Sequence, residues 1–291
     1  MSKSLSSKRR SRSSGQLITL LTDFGTSDYF AGAMKGVILA INPAAQLVDI
    51  THDIPAQDIQ CAAFNLLAIY GSFPAGSINV AVVDPGVGSM RRPILVCARE
   101  QFFVGPDNGI FSYVLDREPD ARIFELKNKK YFRRQVSNTF HGRDIFAPVA
   151  AALSKGTPPS KFGAAITDPV RLASLNPLKL KNGDWEGRVI HIDHFGNCIT
   201  SFTQSDITQR MIDGGAVLRI NGREFREFRQ FYAEDGQTGL RSQMSNFKAQ
   251  RSKLFAVWGS AGFLEIAARN QSAAKLLKAK RDDRIICRTG V

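Results

Sequence analysis

Apolar and polar positions alternate in blocks of two kinds along this chain. A short apolar run, Leu17–Leu21, ends in Thr22-Asp23-Phe24-Gly25 and predicts a strand. Residues 29–41 follow with helical spacing and stop at Asn42-Pro43. Residues 46–50 predict a second strand. Residues 57–70 place Ile59, Ala62, Ala63, Leu66, Leu67 and Tyr70 on one helical stripe. A third strand, 77–83, runs into Asp84-Pro85-Gly86. Residues 94–98 and 101–104 read as a hairpin, and helices are predicted from Asp107 to Leu115 and from Arg143 to Leu153. This β-α-β-α-β order predicts an α/β N-terminal domain with a mostly parallel sheet over residues 16–172.

The pattern changes after Arg171. Residues 173–184, with Pro177, Asn182 and Gly183, read as a linker. Beyond it, short strand-like pieces at 186–192, 198–202, 216–220, 254–258 and 263–267 alternate with Gly and polar turns. They predict a smaller C-terminal β-barrel or sandwich domain over 185–291. The polar stretch 226–252 lacks periodicity and is expected to be a loop or insertion.

Charge adds one feature. The net charge is +13, and much of it sits at the ends. Lys3, Lys8, Arg9, Arg10 and Arg12 stand in a Ser-rich start without an acid, and Lys275, Lys278, Lys280, Arg281, Arg284 and Arg288 face only Asp282 and Asp283. Residues 1–15 are expected to be a disordered basic tail, able to contact acidic partners. No apolar run of about 18 residues is present, so no membrane partner is expected. Cys61, Cys97, Cys198 and Cys287 form no CxxC pair, which points to neither a zinc site nor a disulfide framework. A reducing, cytoplasmic setting is the expectation.

Three familiar patterns fail. Asp23-Phe24-Gly25 precedes His141-Gly142-Arg143-Asp144, the reverse of the kinase order. Gly86-Val87-Gly88 lacks the third glycine of a dinucleotide loop and the lysine of a phosphate loop. His191 and His194, three apart on a strand, point to opposite faces and have no third ligand, so no metal is expected.

In open parallel sheets, ligands bind beyond the carboxyl ends of strands, where Asp23 and Asp84 stand. Further on come Arg91-Arg92, Pro106-Asp107-Asn108-Gly109, Phe140-His141-Gly142-Arg143-Asp144 and Asp193-His194-Phe195-Gly196-Asn197. In this order the motifs resemble the S-adenosyl-L-methionine hydroxide adenosyltransferase family, relatives of the fluorinating and chlorinating halide adenosyltransferases. The resemblance spans about residues 16–291.

It implies SN2 attack of water or hydroxide at C5′ of the ribose, giving adenosine and L-methionine, with S-adenosyl-L-methionine as substrate and no cofactor. The family's water-handling triad falls on Asp84, Arg91 and His141. Arg91 fits the family spacing, and Arg92 does not. By motif, Asp23 grips the ribose hydroxyls, Asp193 holds the methionine ammonium and Asn197 reads the adenine edge. Phe140 and Phe195 wall the pocket, and Ser260 lies in a segment touching the substrate. The family further implies a homotrimer with its pocket at the subunit interface.

These residue types suit the chemistry. A sulfonium releases methionine readily, so the weak partner is water. A carboxylate and an imidazole accept protons, and a guanidinium steadies hydroxide-like charge. Which of Asp84 and His141 takes the proton is left open by the sequence. Two other readings compete. A halide adenosyltransferase would carry an uncharged residue where Asp84 stands, because a carboxylate repels halide. A non-catalytic nucleoside- or nucleic-acid-binding protein would bind through the basic ends, with affinity falling steeply in salt.

Overall fold

The computed structural model describes residues 16–233 and 254–289, which fall into two compact units dividing between Ala173 and Ser174. The basic tail, 1–15, and residues 234–252 of the polar stretch lie outside the described residues.

The first unit runs β1 (Leu17–Thr22), α1 (Phe30–Ile41), β2 (Gln46–Thr51), α2 (Ile59–Ile69), β3 (Ile78–Val82), β4 (Pro93–Ala98), β5 (Gln101–Pro106), α3 (Ser112–Arg117), β6 (Arg122–Glu125), α4 (Ala147–Ser154) and β7 (Ala165–Ile166). Its sheet has the order β2-β1-β3-β5-β4-β6-β7. The first four strands pair in parallel, and β4, β6 and β7 extend the sheet by antiparallel pairing. The hairpin β4–β5 turns through Arg99 and Glu100, both at positive φ, the backbone that matches strand twist.

Both faces of this sheet are covered, because successive strand residues point opposite ways. Leu20, Val80 and Val82 pack with Met34 and Ile38 of α1 and Val149 of α4. Leu21, Ala81 and Val83 pack with Ala62 and Leu66 of α2 and Val114 of α3. Helices on both faces leave the carboxyl ends of β1 and β3, which are neighbours, as the place where loops gather.

The helix expected at Arg143 begins differently. Gly142–Phe146 is a single π turn leading into α4, and His141 is its N-cap. Periodicity does not register a one-residue insertion of this kind.

The second unit contains β8 (Leu178–Lys179), β9 (Trp185–Ile192), β10 (Cys198–Thr203), α5 (Gln209–Asp213), β11 (Val217–Ile220), β12 (Arg223–Phe225), β13 (Phe228–Arg229), β14 (Leu254–Trp258), β15 (Phe263–Ala268), α6 (Ala273–Leu277) and β16 (Arg284–Arg288). These strands form one curled, half-barrel sheet, β12-β11-β16-β9-β10-β15-β14-β13, with β8 added to β9. The stretch read as a linker thus contributes a two-residue strand. Val189, Phe202, Leu218, Leu264, Ile266 and Ile285 form the core with Ala273 and Leu277 of α6. All four cysteines are free thiols, and burial pushes Cys198 and Cys287 up to about 12. Among the described residues no helix is long and apolar enough to cross a membrane.

Candidate active site

Asp23 follows directly on β1, and Asp84 comes two residues after β3. Both line a cavity of about 420 Å³ in the first unit, together with Phe24, Phe30, Gln57, Phe140 and His141. Asp23 does not cap a helix, since α1 starts at Phe30 with Tyr29 as its N-cap. Instead its Oδ2 accepts the N–H of Gln57 at 2.8 Å, with Gln57 itself in left-handed backbone at φ 65°. The Asp23 loop is bolted from behind. Thr22 Oγ1 lies 2.8 Å from His52 Nδ1, and Gly25 N donates to His52 O. His52 is buried, so its place is structural.

After Asp84 the chain turns sharply. Val87 N donates to Asp84 O, and Ser89 N donates to Gly86 O. The turn brings Arg91 back onto Asp84. Arg91 Nε donates to Asp84 Oδ1 at 2.8 Å and Oδ2 at 3.0 Å, and Nη2 donates to Oδ2 as well. The pair is almost wholly buried, with side chains 9% and 5% exposed. Arg91 Nη2 also lies 2.8 Å from His141 Nδ1. A guanidinium has only donors, so Nδ1 is the acceptor and the hydrogen of the neutral ring sits on Nε2. Burial, aided by the positive Arg91, lowers the His141 pKa, against the pull of Asp84 and Asp144. His141 is therefore held neutral, with Nε2–H as its remaining polar group.

The adjacent arginine does something else. Arg92 donates to Asp107 Oδ2 at 2.8 Å and to Asp168 Oδ1 at 2.9 Å. Asn108 Nδ2 donates to Val83 O at 2.8 Å. The Pro106–Gly109 motif thus anchors the strand end that presents Asp84. Phe140 stacks edge-on with Phe24 and Phe30, at ring distances of 5.7 and 5.1 Å, and forms an apolar wall. The segment before it is pinned by Asp144, fully buried, which accepts from Ser137 N, Arg143 and Arg133.

The second unit has its own cavity, about 1000 Å³, lined by Asp193, Phe195, Asn197 and Ser260 and also by Tyr232, Phe255, Trp258 and Glu265. Asp193 Oδ1 accepts Asn197 N at 2.8 Å, and Oδ2 accepts Asn197 Nδ2 at 2.9 Å. This closes the β9–β10 turn. Gly196 there has φ +83°, and a Cβ on it would fall 2.1 Å from Ser272 Oγ. Glycine lets the turn meet the start of α6, where Ala274 N donates to Gly196 O. Phe195 is 77% exposed.

The residues picked out by motif thus fall into two groups. Asp23, Asp84, Arg91, Phe140 and His141 gather in the first unit, and Asp193, Phe195, Asn197 and Ser260 in the second. Sequence reasoning passed over Gln57, Phe24 and Phe30 in the first cavity and Tyr232 and Glu265 in the second. Among the described residues no three His, Cys, Asp or Glu side chains group to hold a metal ion.

The chain thus has two units, the first with acids at the carboxyl ends of parallel strands and a buried Asp–Arg–His cluster. Residues 18–163 match the SAM hydroxide adenosyltransferase N-terminal domain, and residues 187–286 match the C-terminal domain. The chain belongs to the SAM hydroxide adenosyltransferase family. It is 33% identical to an (R)-S-adenosyl-L-methionine hydrolase of Thermus thermophilus over 90% of this chain and 96% of that protein. To the enzyme of the same name from Methanocaldococcus jannaschii it is 34% identical, over 92% and 94%. A fluorinase from Actinoplanes matches at 26%, over 70% of this chain and 77% of the fluorinase. The crystal structure of an uncharacterized conserved protein from Thermotoga maritima superposes with a TM-score of 0.81 at 32% identity, covering 93% of this chain and 99% of that one.

Proposed function

We propose that this protein hydrolyses S-adenosyl-L-methionine to adenosine and L-methionine. The observation that carries the reading is the buried Asp84–Arg91–His141 cluster beside Asp23 on the cavity wall. Asp23 takes the ribose hydroxyls. Water attacks C5′ as the C5′–S bond breaks, and the bonding pair returns to sulfur to leave neutral methionine thioether. The entering oxygen becomes strongly acidic as the C–O bond forms, so a weak base is enough to take its proton. With Nδ1 of His141 engaged by Arg91, Asp84 is the base, and His141 Nε2–H orients the oxygen. Arg91 orients Asp84 and adds positive potential where hydroxide character develops.

Asp193, Asn197, Phe195 and Ser260 hold the methionine and adenine ends. Family likeness supports a homotrimer in which the first unit of one copy and the second unit of its neighbour complete one pocket. The 77% exposure of Phe195 on a single chain is in keeping with this. A carboxylate at position 84 disfavours halide as nucleophile, which argues for hydrolysis over halogenation.

The test is incubation of purified protein with S-adenosyl-L-methionine, without added metal and with chloride or fluoride in parallel. Chromatography is expected to show adenosine and methionine in equal amounts in every arm, unchanged by chelator. A 5′-halo-5′-deoxyadenosine product, or none, overturns the reading.

A further inference from the structure

Phe146 is a buried ring beside the reacting residues. It closes the π turn Gly142–Phe146 and is 0% exposed. Arg91 Cζ lies over its ring, 5.3 Å from the centroid. The cavity that holds Asp84 and His141 is lined by other residues, so a part for Phe146 in the chemistry runs through Arg91.

Most of the Arg91 guanidinium is committed. Nε donates to both oxygens of Asp84, and Nη2 donates to Asp84 Oδ2 and to His141 Nδ1. Nη1 differs. It is buried, and among the described residues it finds no hydrogen-bond acceptor. A buried cation with an idle donor is costly. An aromatic face offsets that cost without a lone pair, because the negative face of the ring attracts the positive charge. The attraction is stronger where water is excluded, as it is around an arginine side chain 9% exposed. An aliphatic side chain would fill the space and supply no such attraction.

The backbone explains how the ring comes to stand there. His141 and Phe146 are five residues apart. In an α-helix, such residues lie about 140° from one another around the axis, on nearly opposite sides. A π turn closes on the fifth residue ahead, as Ala147 N–H does on Gly142 O, and it brings residues five apart toward one side. Within one turn, His141 thereby meets Arg91 Nη2 and Phe146 meets the guanidinium carbon.

We infer that Phe146 is a positioning residue for the reaction: its ring face holds the Arg91 guanidinium so that the fork engages Asp84 and His141 together. The inference rests on the functional reading above and adds to it the group that sets the arginine. Phe146 takes no proton. Without its ring face, the several bonds to Asp84 persist, and the single bond to His141 Nδ1 gives way.

The test replaces Phe146 in the full-length protein by 4-fluoro-, 3,5-difluoro- and 3,4,5-trifluorophenylalanine. Each fluorine draws negative charge from the ring face and changes its shape little. For release of adenosine from S-adenosyl-L-methionine, kcat is expected to fall stepwise, by about 5- to 30-fold at the third fluorine, with KM near the wild-type value. Phe146→Leu is expected to lose kcat to a like extent. 4-Methyl- and 4-chlorophenylalanine are alike in bulk and opposite in their effect on ring charge, and the methyl protein is expected to be the faster.

If wild type releases adenosine and the fluorinated proteins all keep its kcat, or the methyl and chloro proteins turn over alike, this inference alone is overturned. A rise in KM with kcat unchanged also overturns it. If Phe146→Leu does not fold, the fluorinated proteins decide. If wild type releases no adenosine, the functional reading fails and the inference with it.

Discussion

Gly88 and Asn138 touch backbone to backbone: a Cβ on Gly88 would fall 2.2 Å from the Asn138 carbonyl oxygen. Gly88 closes the turn after Asp84, and Asn138 lies three residues before His141. This contact sets the spacing between the two loops that carry the triad. Gly88 also has φ +77°, so alanine there meets both strain and a clash. Gly88→Ala is expected to cost about 1–3 kcal/mol, a fall of about 2–10 °C in melting temperature. Turnover should drop with it. Gly36→Ala, inside α1 with open space around it, is the control: it should leave turnover unchanged and, by helix propensity, raise stability by up to about 1 kcal/mol. Calorimetry and initial rates check the pair.

The lowered pKa of His141 sets a pH dependence. Its unfolded value is about 6.5, and the folded value lies below that. Between the two, the unfolded chain binds more protons, so stability rises with pH. This contribution is fully present above about 6.5 and is lost as pH falls through the lowered folded value. Turnover that needs neutral His141 is expected to hold from pH 7 upward as far as this residue governs it, and to fall in acid with an inflection below 6.5. In His141→Asn that acid inflection should vanish from the kcat profile.

Asp84 and Arg91 are assigned to the nucleophile, so changing them should lower kcat far more than it raises KM. Asp84→Asn removes the base. Arg91→Lys keeps charge but loses the fork that spans Asp84 and His141, and it too should lose turnover. Arg92→Lys touches the Asp107 and Asp168 anchor, and it should act on stability before rate. Separate measurement of kcat and substrate affinity decides. Near-normal kcat in both Asp84→Asn and His141→Ala refutes the triad.

Asp23 is expected to act on binding. Each charge-assisted hydrogen bond contributes roughly 1.5–3 kcal/mol. Asp23→Ala should therefore weaken adenosine and substrate binding by at least about tenfold. A fall in melting temperature with unchanged affinity would mean that Asp23 serves only to hold Gln57.

Much of this was legible in the sequence, for physical reasons. Strands β1 and β3 announce themselves as apolar runs cut off by Asp and Gly, and a carboxylate at a strand's end has few places to go. Helix α1 was readable because Pro43 ends it. Strand order was less so. The placing of β5 between β3 and β4 depends on non-local pairing that no single segment encodes. The short strand β16, within a basic stretch, carries no alternation strong enough to declare itself. Glu265 was hidden by its neighbours, since Phe-Leu-Glu-Ile-Ala reads as a core strand with one polar interruption. Tyr232 stands where periodicity is absent. What joins them is a hydrogen bond across 33 positions.

The π turn at Gly142–Phe146 leaves the chain one deletion away from losing its chemistry. Removing a single residue there would let the backbone relax into an uninterrupted α-helix, with α4 downstream undisturbed. The residues just before it, His141 among them, would turn by about 100° around the helix axis relative to α4. His141 would then leave Arg91, and turnover would be lost with that contact.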